Sequence, residues 1–303
     1  MNTFRNTLIA GISPSLYLLA VAMLAALLAY PLFRLSGSED VSLYRTLVSR
    51  GGQALIILGF YPIFRKLGLE WRDFGLKRRF FGQCVIGFLV GATMLLLHMI
   101  ALILMDVRVM VWEKLNPHDL MPILGKSLAI GLGVALLEES IFRGALMAII
   151  RRLSGPMQAV GISAFYYAIL HFIGTKWTTE SGLIGWDTGF RIALDGFLHL
   201  AEVAPDSFLG LLVAGLFLAT IRSLIPMSLG ICMGIHAGWV FIIKSFKSMS
   251  YPNFDSSLLY FVSPYDQITG YFSSVWLGTF VILIWLFVAR QRPSPVPSPS
   301  AKS

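Results

Sequence analysis

The fold class that the sequence predicts is an all-α, polytopic membrane bundle of about eight transmembrane helices, and three observations predict it. Of 303 residues, 56% are hydrophobic and only 13% are charged, with a mean hydropathy of +0.74. An average soluble domain carries roughly 25% charged residues, so a soluble fold of this length would need more polar surface than the chain supplies. The apolar residues also gather into runs of about twenty, the length that crosses a ~30 Å hydrocarbon core. Finally, the basic residues cluster in short connections between those runs. The net charge of +8 and pI of about 9.6 therefore follow from the positive-inside bias, with the lipid bilayer as partner and no nucleic acid implied.

Taken in order, the predicted spans fall near 14–33, 47–64, 80–105, 123–150, 156–175, 207–222, 224–244 and 271–289. The first follows a single Arg and has no convincing small-x-small cleavage site after it, which predicts an uncleaved anchor and not a removed signal peptide. Arg50, Gly51 and Gly52 interrupt the start of the second, and the sixth is short. The stretch from Arg65 to Arg79, RKLGLEWRDFGLKRR, carries the densest basic cluster and is expected to be cytoplasmic. With alternating spans, Arg151, Arg152, Arg222, Arg290 and Arg292 fall on that same side. The expected topology is therefore N-in and C-in, most simply in the cell membrane. Cys84 and Cys232 lie far apart in apolar stretches and imply neither a disulfide framework nor a Cys-based zinc site.

Two outer connections are long. The first, Lys176 to Ser207, contains GFRIALDGFLHLAEV, expected to lie along the interface or dip back into the bundle. His199 and Glu202 within it stand three apart on one helical face, where a polar edge explains them without a metal. The second, Ser245 to Gly270, is rich in Tyr, Phe, Ser and Pro and is expected to cap the bundle at the membrane interface.

The chemistry concentrates in Gly131 to Ile150, GLGVALLEESIFRGALMAII, where Glu138, Glu139 and Arg143 interrupt an apolar run. A charge near mid-bilayer costs from a few to more than ~10 kcal/mol, so such groups face a protein interior or a wet cavity and mark function. Glu139 and Arg143 stack on one helical face and can pair, whereas Glu138 projects ~100° away from Glu139. The fifth span places His171 near its outer end, and the seventh places His236 near its middle. Depth reckoning at ~1.5 Å per residue lets Glu138, His171 and His236 share one cavity. Gly131, Gly133, Ala135, Gly144 and Ala145, with Gly230, Gly234, Ala237 and Gly238, supply the small residues that let membrane helices approach closely. His98, in MLLLHMIALIL, has no evident partner and is read as packing.

A carboxylate and two imidazoles around a water support two kinds of chemistry. Without a metal, Glu138 with His171 would take the proton of a water attacking a peptide carbonyl, and His236 would donate to the oxyanion. With a metal, Glu138, His171 and His236 would make a three-ligand zinc site with an open water position. The same residues would also serve as a proton relay in a coupled transporter.

These motifs resemble the CPBP family of intramembrane proteases, which includes the type II CAAX prenyl endopeptidases and bacterial homologues that process peptides or confer immunity to them. The signature E-E-x-x-x-R is met by Glu138, Glu139 and Arg143. An aromatic residue four before a histidine is met by Tyr167 and His171, with Tyr where Phe is usual. A histidine followed four residues on by Asn or Asp is met at His236 alone, since Val240 takes the other place. The stretch DFGLKRR, Asp73 to Arg79, also fits. The resemblance implies catalytic roles for Glu138, His171 and His236, supporting roles for Glu139, Arg143 and Tyr167, and no required cofactor, with zinc as the alternative. Val240 cannot donate a hydrogen bond, so Trp239 is the candidate substitute donor. The implied partner is a membrane-associated protein or peptide substrate. A non-catalytic scaffold or immunity protein and a proton-coupled transporter are the competing functions. The expected organisation is an N-terminal transmembrane hairpin at 1–72, a protease core at 73–244, an outer loop and last helix at 245–290, and a disordered Pro/Ser-rich tail at 291–303.

Overall fold

A computed structural model describes residues 2–76, 79–175 and 177–290; the tail expected to be disordered lies outside the described residues. The chain forms an all-α bundle in which, among the described residues, seven helices are long and apolar enough to cross a membrane, with an eighth, shorter apolar helix among them. It is an integral, multi-pass membrane protein.

Helix α1 (Asn2–Ser36) and helix α2 (Val41–Leu67) form an antiparallel hairpin. Asp40 caps α2 by accepting from the Ser42 amide, and Gly68 ends it with a φ of 63°, the left-handed conformation that glycine adopts without a Cβ penalty. Gly51 and Gly52 do not break α2, which runs through both, and Gly52 lies at ordinary contact distance from Ala25 of α1. A one-turn helix, α3 (Trp71–Phe74), precedes α4 (Phe80–Leu104).

The predicted fourth span is longer and less regular than expected. It begins as α5 (Pro117–Glu139), passes through a π-helical stretch at Ser140–Leu146 and continues as α6 (Met147–Ser154). The fifth, α7 (Pro156–Leu170), stops at His171 instead of running to 175. At ~1.5 Å per residue its length is roughly 22 Å, short of a full crossing, so His171 stands at a helix end and not inside a span. In the next connection α8 (Thr188–Leu198) packs on the hairpin, with Gly189 against Ala26 and Tyr44. The apolar stretch there thus covers α1 and α2 and does not reach the site.

Helix α9 (Pro205–Leu224) and helix α10 (Leu229–Met249) follow. The seventh span starts five residues later than predicted, because Pro226 forces the residue before it out of the helical region and Ile225 is extended. Helix α11 (Tyr271–Arg290) closes the described chain. A short antiparallel pair, β1 (Arg108–Met110) and β2 (Ser250–Pro252), in register Arg108↔Pro252, ties the loops outside α4 and α10 together.

Small residues set the centre of the bundle. Gly234 of α10 lies on the backbone of Cys84 and Phe88, and Gly91 of α4 lies on the backbone of Ile235, so α4 and α10 touch main chain to main chain. Gly131 brings α5 against Ala237 in the same way. Without a hydrophobic driving force between helices in lipid, this close packing is what holds them. Gly133, expected to share the role, faces open space. The main core gathers α4, α7, α9, α10 and α11, and a second, smaller one joins Ala29, Phe33, Tyr44, Val48 and Ile192.

Candidate active site

Three elements bring the predicted residues together. Glu138 is the penultimate residue of α5, His171 caps α7, and His236 lies inside α10. Glu138 Oε2 is 3.6 Å from His171 Nε2 and 3.8 Å from His236 Nε2. Those separations exceed a hydrogen bond, and Oε2 is buried without a partner. The side chains of Glu138 and His171 keep 24% and 20% of their surface, so both are partly exposed although Oε2 itself is buried.

Glu139 occupies the other side of His236. Its Oε1 accepts from His236 Nδ1 at 2.8 Å and from Arg143 Nη1 at 3.2 Å, and both Glu139 and Arg143 have no exposed surface. The sequence paired Glu139 with Arg143 alone and aimed the histidines at Glu138. The structure gives Glu139 to His236 as well, so one imidazole bridges the two carboxylates. Arg143 also donates to the Gly215 carbonyl at 3.0 Å and lies over the Tyr167 ring, 4.4 Å from its centroid. A fully buried guanidinium held by a carboxylate, a carbonyl and an aromatic face is the form in which such a charge is tolerated.

The π-helical stretch positions Arg143. Widening the helix by one residue per turn leaves a carbonyl short of its ordinary partner, and Ser163 of α7 donates to the Phe142 carbonyl at 3.1 Å. Gly144, in the same stretch, leaves room for the Phe74 ring of α3, so the loop DFG is seated on this segment.

His171 is oriented by its own helix. Its Nδ1 lies 2.7 Å from the Tyr167 carbonyl, which only accepts, so Nδ1 carries the proton and Nε2 faces Glu138. Tyr167 packs against both imidazoles, with ring centroids 4.5 Å from His171 and 6.0 Å from His236. Tyr265, which the sequence did not single out, comes down from the last long connection. Its hydroxyl donates to the His171 carbonyl at 3.5 Å, and its ring lies against Phe172. Only the aromatic richness of that connection pointed to it.

Trp239 stands against Phe217 of α9, with its indole N–H buried and unpartnered. His98 bonds the Ile268 carbonyl through Nε2 and stacks on Phe272, anchoring the last connection. His199 lies between Asp195 and Glu202 at 3.7 and 3.8 Å, away from the cluster. Glu138, His171 and His236 offer donor types that zinc accepts. Among the described residues, however, no group of three or more His, Cys, Asp or Glu has the disposition of a metal site as it stands.

Fold and site together define a polytopic membrane protein with a partly buried carboxylate and imidazole cluster at the meeting of three helices. Residues 121–242, from early α5 into α10, match the family model described as type II CAAX prenyl endopeptidase Rce1-like. That segment is similar to the family which its motifs resemble. No curated protein matches the chain, and no solved structure does.

Proposed function

We propose that the protein is an intramembrane endopeptidase that cleaves a membrane-associated protein or peptide with a water activated by Glu138 and His171. The observation that carries this reading is the gap in which Glu138 Oε2 faces His171 Nε2 and His236 Nε2 at 3.6 and 3.8 Å. A water there donates one hydrogen to the carboxylate and one to the free lone pair of His171. As its oxygen attacks the scissile carbonyl carbon, Glu138 takes a proton and later passes it to the departing amine while the C–N bond breaks. His236 serves the oxyanion. Nδ1 is committed to Glu139, so the group that donates to the oxyanion is an N–H at Nε2. Glu139 holds the ring, and Arg143 holds Glu139.

Purified protein in liposomes, incubated with membrane peptides, is expected to yield two fragments by mass spectrometry. Glu138→Gln is expected to slow cleavage by about 10²–10⁴-fold, the usual contribution of a positioned base. Cleavage unchanged by that substitution overturns the role of Glu138. Activity retained after exhaustive chelation is expected, and activity lost on chelation and restored by zinc would replace this water-activating scheme with the metal one.

Val240 favours a second reading, a non-catalytic scaffold or immunity protein, because an aliphatic side chain occupies the place where the family carries a hydrogen-bonding one. Full biological function in a Glu138→Gln, His171→Ala double variant would select it.

A further inference from the structure

A cavity of about 400 Å³ opens at the end of the bundle opposite Tyr265, between α3, α6 and the turn from α9 to α10. Arg72, Arg143, Arg151, Arg152 and Arg222 line it, with Asp73 as the sole carboxylate. Asp73 is already engaged, since its Oδ2 accepts from the Glu70 amide at 2.8 Å. Among the described residues no ion pair reaches Arg151, Arg152 or Arg222.

The inner wall carries buried donors without acceptors. Arg222 is 7% exposed, and its Nη2 donates to the Asp73 carbonyl at 2.9 Å, but its Nε has no partner. Arg143 Nε is buried and unpartnered in the same way. Gly75, with a φ of 93°, has no Cβ where the Arg222 guanidinium lies, so the DFG turn is shaped around that side chain. Guanidinium groups of like sign do not gather round a void at no cost, and buried N–H groups call for an acceptor. An anion supplies both.

We propose that this cavity binds a phosphate group, that of an anionic phospholipid in the leaflet at this end of the bundle. Guanidinium forks match phosphate oxygens in pairs, and basic pockets between helices at a membrane face take anionic headgroups. Leu69, Met147, Ala148, Pro226 and Met227 complete the lining with apolar surface suited to a glycerol backbone. The site is separate from the cluster at Glu138. Arg151 lies roughly 20 Å along the helix from it at ~1.5 Å per residue, with the buried Arg143 as the wall between. That buried side chain separates the cavity from Glu138, which favours a lipid over the carboxylate of a peptide held at Glu138.

Native mass spectrometry of the full chain tests this without reading hydrolysis, so it stands or falls apart from the endopeptidase proposal. Phosphatidylglycerol is expected to be retained at least about tenfold over phosphatidylcholine of the same chains, a difference of one decade in Kd. Arg151→Gln with Arg152→Gln, both on exposed side chains, is expected to remove most of that preference while the thermal unfolding temperature without lipid stays the same. Arg222→Lys reads the inner wall independently. Inorganic phosphate that protects the wild-type chain from unfolding, and the double variant less, while phosphatidylglycerol is not retained, would keep the phosphate site and assign it to a soluble ligand. Equal retention of the two lipids with no effect of phosphate overturns the proposal, as does a preference unchanged in both variants. Displacement of phosphatidylglycerol by a free-acid peptide but not by its amide overturns it in favour of a peptide site.

Discussion

Glu139 has the hardest position in the chain. It is wholly buried, it answers Arg143 and His236 through one oxygen, and its other oxygen has no partner. Removing one member of a buried pair leaves the other charge stranded, at a cost of about 3–5 kcal/mol. Glu139→Ala is therefore expected to lower the unfolding temperature sharply or abolish the folded protein, whereas Glu139→Gln, which also strands the Arg143 charge but keeps an acceptor, is expected to cost less. A fluorescence-monitored thermal melt in detergent checks both. The E-E-x-x-x-R spacing made the Glu139–Arg143 pair legible because neighbours four apart meet on any helix. The bond to His236 was not legible, since it depends on how far α10 turns against α5, and no local spacing encodes that angle.

Val240 belongs at the same scale. If His236 holds the oxyanion without help from its own helix, a second donor one turn further on adds to it. Val240→Asn is expected to raise kcat for peptide cleavage by up to about 10²-fold, the size of one oxyanion donor, with KM little changed. A rate that falls, with the fold intact by melt, would show that position 240 does not face the oxyanion.

Among the elements, the π-helical stretch at Ser140–Leu146 has the most consequence. Deleting Ile141 removes the extra residue that the wide turn accommodates and brings Arg143 from four to three residues after Glu139. The guanidinium is then misaligned with Glu139 and the Gly215 carbonyl together, and the expected outcome is loss of cleavage with a lower melting temperature. Wild-type stability in the deletion would mean that the wide turn does not hold the pair. Apolar run length announced a helix from 123 to 150 but could not announce this turn, which forms because Ser163 satisfies a carbonyl from another helix. The early end of α7 escaped notice for a related reason, since hydropathy stays high through Phe172 and Ile173. The shift in α10 was legible in principle, because Pro226 marks it. Gly87 and Gly91 of α4, which meet α10 as closely as the glycines singled out on α10 itself, were overlooked because their partner is another element's backbone.

For the molecule as a whole, composition and run length were enough to give the class of fold, since only helices that satisfy their own backbone cross lipid in this form. Charge gives the orientation we propose, with the arginine-lined end in the cytoplasm. In a background without Cys84 and Cys232, Arg152→Cys is expected to resist an impermeant thiol reagent in intact cells and to react after lysis. Asp255→Cys, on the opposite face, is expected to react in both. The reverse pattern would invert the topology.

Phe74 fills the space that a side chain at position 144 would take, two helical elements away from the carboxylates but in direct contact with the turn that carries Arg143. The short helix and the turn that carries Arg143 are therefore in van der Waals contact beside the arginine-lined cavity. A force that displaces α3 is passed to that turn by hard-sphere contact, so α3 is a lever on the residue that holds Glu139.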